Sequence, residues 1–212
     1  MRCVSPFLAA VLLAITGCAT NKPLEAQRIA SIPSVEVVRL ATPEIQRHSP
    51  ETVAAGGLLF GGFGMEAMGA AAGKAMRERC KLEDLGYLVM REFVEQAPKQ
   101  IPRWPSMRVQ ERPVEAGYVL KDAYQLQFQP AMVWVYTFGP KGLMVNLAAS
   151  ILSSAGEEIW KYTASYSQKE AGRSREIEEL EAESCKLLKE EMQLAARALA
   201  GQFVADLSGQ KR

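Results

Sequence analysis

Histidine is almost missing from this sequence, and neither sign of charge is in excess. The 212 residues contain one histidine, His48, and 25 basic against 24 acidic residues, which gives a net charge of +1. A serine or cysteine hydrolase usually needs an imidazole base oriented by a third group, so a single histidine in a loop argues against that chemistry. Phosphate binding needs a concentrated basic surface, so the charge balance argues against nucleic acid as a partner.

Cysteine is also scarce, with four residues in the whole chain. Two of them, Cys80 and Cys185, lie far from the N-terminus and have no neighbouring histidine, so they lack the ligand set that zinc requires. The glycines at 56–73 do not follow the pattern of a phosphate-binding loop, which argues against a nucleotide site. The sequence therefore predicts no metal, no cofactor and no enzymatic activity.

Long hydrophobic runs are absent, and the apolar run at the N-terminus is short. It covers Phe7–Ile15 after the positive charge of Arg2, too short for a stable membrane span and typical of a secretory signal. The run ends in Ile15-Thr16-Gly17-Cys18. This tetrapeptide resembles the bacterial lipobox, in which an aliphatic residue and two small residues precede an obligatory cysteine.

The lipobox resemblance implies a cleaved and lipid-anchored chain. Residues 1–17 would be removed, and Cys18 would carry three acyl chains, such as palmitate, which hold a protein far more firmly than one chain does. Ala19, in place of an acidic residue, resembles the sorting pattern of proteins passed to the outer membrane, facing the periplasm. Residues 18–31 are polar and form the predicted tether to a single domain over residues 32–208.

One disulfide is expected in such an oxidising compartment. Cys3 leaves with the signal and Cys18 carries lipid, so Cys80 and Cys185 are left to pair. The bond would close a very long loop and stabilise the fold by about 4–5 kcal/mol on the chain-entropy model. Two separately buried thiols are the alternative.

A glycine- and alanine-rich segment over residues 52–76 stands apart from the rest of the chain. Glycines recur there at intervals of four, a spacing that keeps them on nearly one face of a helix and lets another backbone approach closely. This ladder resembles the glycine zippers of membrane-associated and oligomerising envelope proteins, and implies membrane contact or self-association through Gly57, Gly61, Met65, Gly69 and Gly73.

A second interpretation of the same segment is a surface loop that becomes helical only near Met65. Glycine costs about 1 kcal/mol relative to alanine in a helix, and seven glycines lie between Gly56 and Gly73. Glu66 would be expensive in a bilayer core, at roughly 2.5 kcal/mol or more. Both interpretations stay open at this point.

The remaining periodicities predict an α+β fold, with a mixed or antiparallel sheet, helices packed on one face and a long C-terminal helix. The predicted strands are 34–40, 107–113, 123–129 with Tyr124, Leu126 and Phe128 on one face, 131–138, 143–152 and 158–167, the last with a bulge. The predicted helices run from Leu82 to Pro98 and from about Arg175 to Leu207. Ser208 and Gly209 are predicted to end the second helix.

A further resemblance is to the small periplasmic lipoproteins that act as accessory subunits of envelope transport systems, such as those of ABC-type lipid transporters and curli secretion. It rests on the early strand Val35–Leu40, the pattern Gly156-Glu157-Glu158-Ile159-Trp160 and the helix Arg175–Leu207. It implies a non-catalytic accessory or assembly component that contacts an envelope complex through the glycine-rich segment and an exposed sheet edge. A carrier of lipid or another hydrophobic ligand, and a pore-like oligomer built through the glycine ladder, are the alternatives.

Overall fold

The computed structural model describes residues 21, 31–40, 45–49, 67–115, 117–129, 132–136 and 142–209. Seven strands and three helices lie in these ranges, and they confirm the α+β class. In chain order they are β1 (Val35–Arg39), β2 (Ile45–His48), α1 (67–80), α2 (Leu85–Gln100), β3 (Arg108–Val109), β4 (Tyr124–Phe128), β5 (Met132–Tyr136), β6 (Gly142–Leu152), β7 (Glu158–Ser167) and α3 (Ile177–Leu207).

All seven strands belong to one mixed sheet built around β6. One side of β6 pairs antiparallel with β5 near its start and with β4 near its end, and the other side pairs antiparallel with β7. The strands β1 and β2 then add in parallel to β4 and β5, and β3 adds in parallel to β1. Among the described strands, the sheet therefore ends at β7 on one side and at β2 and β3 on the other.

The core lies between one face of this sheet and the helices α2 and α3. Phe128 of β4 makes edge-to-face contacts with Phe93 of α2 and Phe203 of α3, at centroid distances of 5.6 and 5.4 Å. Burial of such aromatic side chains contributes the largest share of apolar stabilisation per residue. The two helices run in the same direction, because Arg91 bonds Gln193 and, about one turn further along both helices, Gln96 bonds the carbonyl of Arg197.

Helix α2 begins three residues later and ends two residues later than the sequence pattern predicts. Asp84 fixes the start, since its carboxylate accepts the N–H of Tyr87 as an N-cap and also pairs with Arg39 at 3.0 Å. The prediction that Pro98 ends the helix is wrong. A proline in the last turn removes a single backbone hydrogen bond, so the helix continues to Gln100, where the N–H of Ile101 donates to Ala97.

Strand β4 is buried on both faces, although its sequence alternates apolar and polar residues. Leu126 and Phe128 face the core as predicted, and Gln125 and Gln127 are also buried on the opposite face. Both amides donate to the carbonyl of Tyr118, and the Gln125 carbonyl accepts the N–H of Leu120. We call the face of the sheet opposite α2 and α3 the outer face. The loop 117–120 covers the part of the outer face that β4 forms.

The hairpin of β6 and β7 is the best predicted part of the fold. Strand β7 has the predicted bounds, and the expected bulge lies at Ile159, because Ile151 pairs with Trp160 and Leu152 pairs with Glu158. The turn is closed by hydrogen bonds between Ser153 and Glu157.

Helix α3 is interrupted near its start, which corrects the prediction of one continuous helix from about Arg175. It begins at Ile177, and Glu183, Ser184 and Cys185 have φ of 48°, 57° and 62°, in the left-handed region. A left-handed residue other than glycine costs roughly 1–2 kcal/mol. The helix resumes after Cys185 and ends at Leu207, where Ser208 and Gly209 form the predicted stop.

Candidate functional site

A disulfide and a shared carboxylate join α1 to the interrupted start of α3. Cys80, the last residue of α1, pairs with Cys185, and their Cα atoms lie 5.4 Å apart, within the usual range for a disulfide. One turn earlier on α3, Glu181 accepts from Arg47 of β2 at 2.9 Å and also pairs with Arg79 of α1. Three elements distant in sequence therefore meet at the left-handed turn.

Two members of the glycine ladder pack inside the domain. On α1, Gly69, Gly73, Met76 and Cys80 form one buried stripe. A Cβ atom at position 73 would lie 1.7 Å from the carbonyl oxygen of Ile45, and one at position 69 would lie 3.1 Å from the ring of His48. These glycines let α1 lie directly against the outer side of β2, so a helix covers that edge of the sheet.

The other predicted site residues lie outside the described part of the chain. These are the lipidation site Cys18 and the ladder positions Gly57, Gly61 and Met65. The membrane or oligomer contact predicted for them stays a prediction. Gly69→Leu is a poor test of self-association, because the new side chain would also collide with β2 in the monomer.

The outer edge of β7 is capped by two side-chain amides. The backbone N–H of Thr163 donates to Oδ1 of Asn21 at 2.9 Å. Two residues on, the N–H of Ser165 donates to Oε1 of Gln202 at 3.2 Å, and the Gln202 amide donates to the Ser165 carbonyl at 2.7 Å. The Gln202 amide thus pairs with Ser165 as a neighbouring strand would, and an edge that could bind another chain is occupied.

A second part of the outer face, which loop 117–120 does not cover, is formed by β5 and β6. This uncovered part carries the aromatic and methionine side chains Met132, Trp134, Tyr136 and Met144. Met132 is 55% exposed, the largest exposure of any large apolar residue in the described part of the chain. Trp134 and Met144 pair beside it and are half-buried. The single histidine lies at the same face, where the His48 ring stacks on Tyr136 at a centroid distance of 5.4 Å.

A buried carboxylate lies between β7 and α3. Glu191 is 2% exposed, accepts a hydrogen bond from the hydroxyl of Tyr166 and pairs with Arg173 at 3.3 Å. Burial, together with the hydrogen bond to Glu191 and its negative charge, raises the pKa of Tyr166 well above its usual value. The carboxylate therefore has two partners and holds β7 against α3.

Two open grooves flank α3. One, of about 380 Å³, surrounds the left-handed turn and is lined mainly by charged residues. The other, of about 310 Å³, lies between the start of α2 and the middle of α3. The second has an apolar floor of Leu82, Leu88 and Met192. Both grooves lie outside the packed layer between sheet and helices.

No family model, curated protein or solved structure matches this chain. Within the described ranges, no three His, Cys, Asp or Glu side chains gather in a way that could hold a metal ion. Over the same ranges, no helix has the length and apolarity to cross a bilayer.

The β7 edge was missed by sequence reasoning. Asn21 lies in a segment that reads as a tether, and Gln202 interrupts the apolar stripe of a helix. The sequence offered one weak sign, which is that Gln202 and Asp206 lie one turn apart beside the apolar Phe203. In the structure Asp206 also bonds β7, because it accepts a hydrogen bond from the buried indole of Trp160 at 2.8 Å. Glu191 gave no signal, because it lies in a run of charged helix residues.

Proposed function

We propose that this chain is a lipid-anchored lipoprotein of the bacterial cell envelope and that it acts as a non-catalytic accessory or assembly component of an envelope complex. The observation that carries the proposal is the lipobox-like sequence Ile15-Thr16-Gly17-Cys18 at the end of a short apolar run. The pairing of Cys80 with Cys185 supports it, because structural disulfides belong to oxidising compartments.

The uncovered part of the outer face is the proposed contact surface for a protein partner. Methionine and aromatic residues are enriched in protein interfaces, and an exposed Met132 beside Trp134 fits that composition. The described part of the glycine-rich segment lies beside this face, because Gly69 of α1 approaches the His48 ring, which stacks on Tyr136. This placement supports a contact surface shared by the outer face and the glycine-rich segment, as the sequence predicts for the latter.

The anchor is tested by labelling cells with a palmitate analogue. The natural chain should incorporate the label and fractionate with the outer membrane, and Cys18→Ser should lose both properties. An unlabelled natural chain found in the soluble periplasm would contradict the proposal.

The accessory role is tested with a photo-crosslinking residue in living cells. Placed at Met132 it should give one defined product with an envelope protein, whereas the same residue at the exposed and charged Lys121 should not. Native mass spectrometry of the chain separates the alternatives. Copurified lipid would favour a carrier, and a large detergent-stable assembly would favour a pore.

A further inference from the structure

Asn21 is bonded to the domain only a few residues after the proposed lipid site, so the chain between the lipid and the domain is short. Asn21 lies three residues after Cys18, and its side chain accepts the N–H of Thr163 in β7. An extended chain advances at most about 3.6 Å per residue, so the Cα atoms of Cys18 and Asn21 are at most about 11 Å apart. The effective tether is thus three residues long, although the polar segment of the sequence extends to residue 31.

We infer that the β7 edge rests on the lipid headgroups of the membrane that holds Cys18, which fixes the orientation of the domain. The inference rests on the proposed lipid anchor. The acyl chains start at Cys18, and the headgroup layer of one leaflet is roughly 5–8 Å thick. A reach of about 11 Å from Cys18 to Asn21 leaves little room for water between that layer and β7.

The chemistry of the β7 edge fits a polar headgroup surface. Alternate residues on this edge are the polar Lys161, Thr163, Ser165 and Ser167, of which Ser165 is exposed and the other three are half-buried. The backbone groups of Thr163 and Ser165 are bonded to Asn21 and Gln202. The exposed large apolar side chains of the described chain lie elsewhere, at Val109, Tyr118, Val119 and Met132. The edge therefore lies on the headgroups and does not insert into the hydrocarbon layer.

The opposite edge of the sheet is directed away from the membrane. Strands β6, β4 and β1 lie between β7 and β3. Four spacings of about 4.8 Å place β3 roughly 19 Å farther from the anchor. Residues on β3 and β7 therefore serve as matched far and near positions.

The test uses the full lipidated chain in vesicles of phosphatidylethanolamine and phosphatidylglycerol. A fluorophore is attached to Ser165→Cys on β7 or to Arg108→Cys on β3, both exposed positions. Cys80 and Cys185 are paired and buried, and lipid blocks Cys18, so labelling is confined to the new thiol. A quencher on the lipid headgroup should quench position 165 strongly and position 108 weakly, and a quencher at the centre of the acyl chains should quench neither.

Variants of Asn21 test whether its side chain holds the orientation. Asn21→Ala removes the acceptor for Thr163 and should abolish the difference in quenching between positions 165 and 108, while the chain stays on the vesicles. Asn21→Asp keeps an acceptor oxygen and should retain the difference.

The outcomes separate this inference from the proposed function. A chain without lipid on Cys18 would overturn both. A lipidated, vesicle-bound chain with equal headgroup quenching at 165 and 108 would overturn the orientation alone. An unchanged difference in Asn21→Ala would overturn the role of Asn21.

Discussion

At the scale of single residues, Gly73 shows how closely α1 approaches β2. A methyl group there would lie 1.7 Å from the carbonyl oxygen of Ile45, far inside van der Waals contact. We expect Gly73→Ala to lower the free energy of unfolding by about 1–3 kcal/mol, because the clash exceeds the gain in helix propensity of about 1 kcal/mol. Urea unfolding of residues 19–212 measures the change.

Gly201 provides the matched control in another helix. A methyl group there would meet only the Gln96 side chain, at 3.5 Å, an ordinary contact. Gly201→Ala should therefore raise the free energy of unfolding by about 0.5–1 kcal/mol. Equal effects of the two substitutions would contradict the close packing of α1 on β2.

Tyr166 makes the free energy of unfolding fall at alkaline pH. Its pKa is raised in the folded state, so the folded protein keeps the phenol proton when the unfolded chain, with a pKa of about 10, has lost it. The contribution is fully present below pH 10 and is lost as the pH rises above that value. Unfolding of the natural chain and of Tyr166→Phe between pH 8 and 12 should show a shallower decline for the variant, and parallel curves would rule out a raised pKa for Tyr166 in the folded state.

At the scale of elements, the left-handed turn Glu183–Cys185 should respond to the disulfide. In the oxidised protein, Ser184→Gly should raise the free energy of unfolding by about 1 kcal/mol, because glycine adopts positive φ without steric cost. When Cys80→Ser and Cys185→Ser remove the disulfide, we expect the turn to become right-handed helix. In that variant, Ser184→Gly should instead lower the free energy of unfolding by about 1 kcal/mol, because glycine is unfavourable in a right-handed helix.

Thermal unfolding and circular dichroism measure both parts of this prediction. The variant without the disulfide should gain helical ellipticity at 222 nm. It should lose less stability than the roughly 4–5 kcal/mol that the chain-entropy model assigns to the disulfide, because each left-handed residue that relaxes returns about 1–2 kcal/mol. Lys186→Gly, one position after the turn, should be destabilising in both backgrounds. If Ser184→Gly changes the free energy of unfolding in the same direction with and without the disulfide, the turn does not depend on the disulfide.

The elements that sequence patterns predict best are those whose periodicity reflects a single packing surface. The hairpin of β6 and β7 is correct to the residue at β7, including its bulge at Ile159. The pattern fails where distant contacts decide the conformation. No residue type in Glu183–Cys185 favours positive φ. Contacts of the described chain hold the segment there, namely the disulfide to Cys80, the ion pairs of Glu181 and the hydrogen bond from Lys189 to the Ser184 carbonyl.

The site was less predictable than the fold, because hydrogen-bond partners far apart in sequence leave no periodic signal. Gln125 and Gln127 read as a solvated strand face and are buried under loop 117–120. The spacing of Gly69 and Gly73 indicated close backbone approach, and in the described chain the approaching backbone is β2. The four-residue glycine spacing thus predicted a close backbone contact but did not predict that β2 would make it.

At the scale of the whole molecule, the protection of sheet edges governs association. Removing the Gln202 amide should expose the backbone groups of Ser165 and permit edge-to-edge pairing. We expect Gln202→Ala to lose about 1–2 kcal/mol of stability and to associate as its concentration rises. Sedimentation of residues 19–212 measures this association.

The control is Gln193→Ala in the same helix. In the described part of the chain, Gln193 accepts a hydrogen bond from the exposed side chain of Arg91 and none from a sheet edge. Gln193→Ala should therefore change neither the free energy of unfolding nor the state of association. Association of both variants to the same extent would show that the β7 edge is not responsible.

The Cys80–Cys185 disulfide also determines what happens when a protease cuts the backbone. Helix α2 and strands β3 to β7 all lie between the two cysteines, and so does the exposed turn that contains Lys169 and Arg173. A cut in that turn yields two fragments that remain covalently joined, because the N-terminal fragment contains Cys80 and the C-terminal fragment contains Cys185 and α3. A nicked molecule would thus keep its mass and both halves of its core until a reductant separates them.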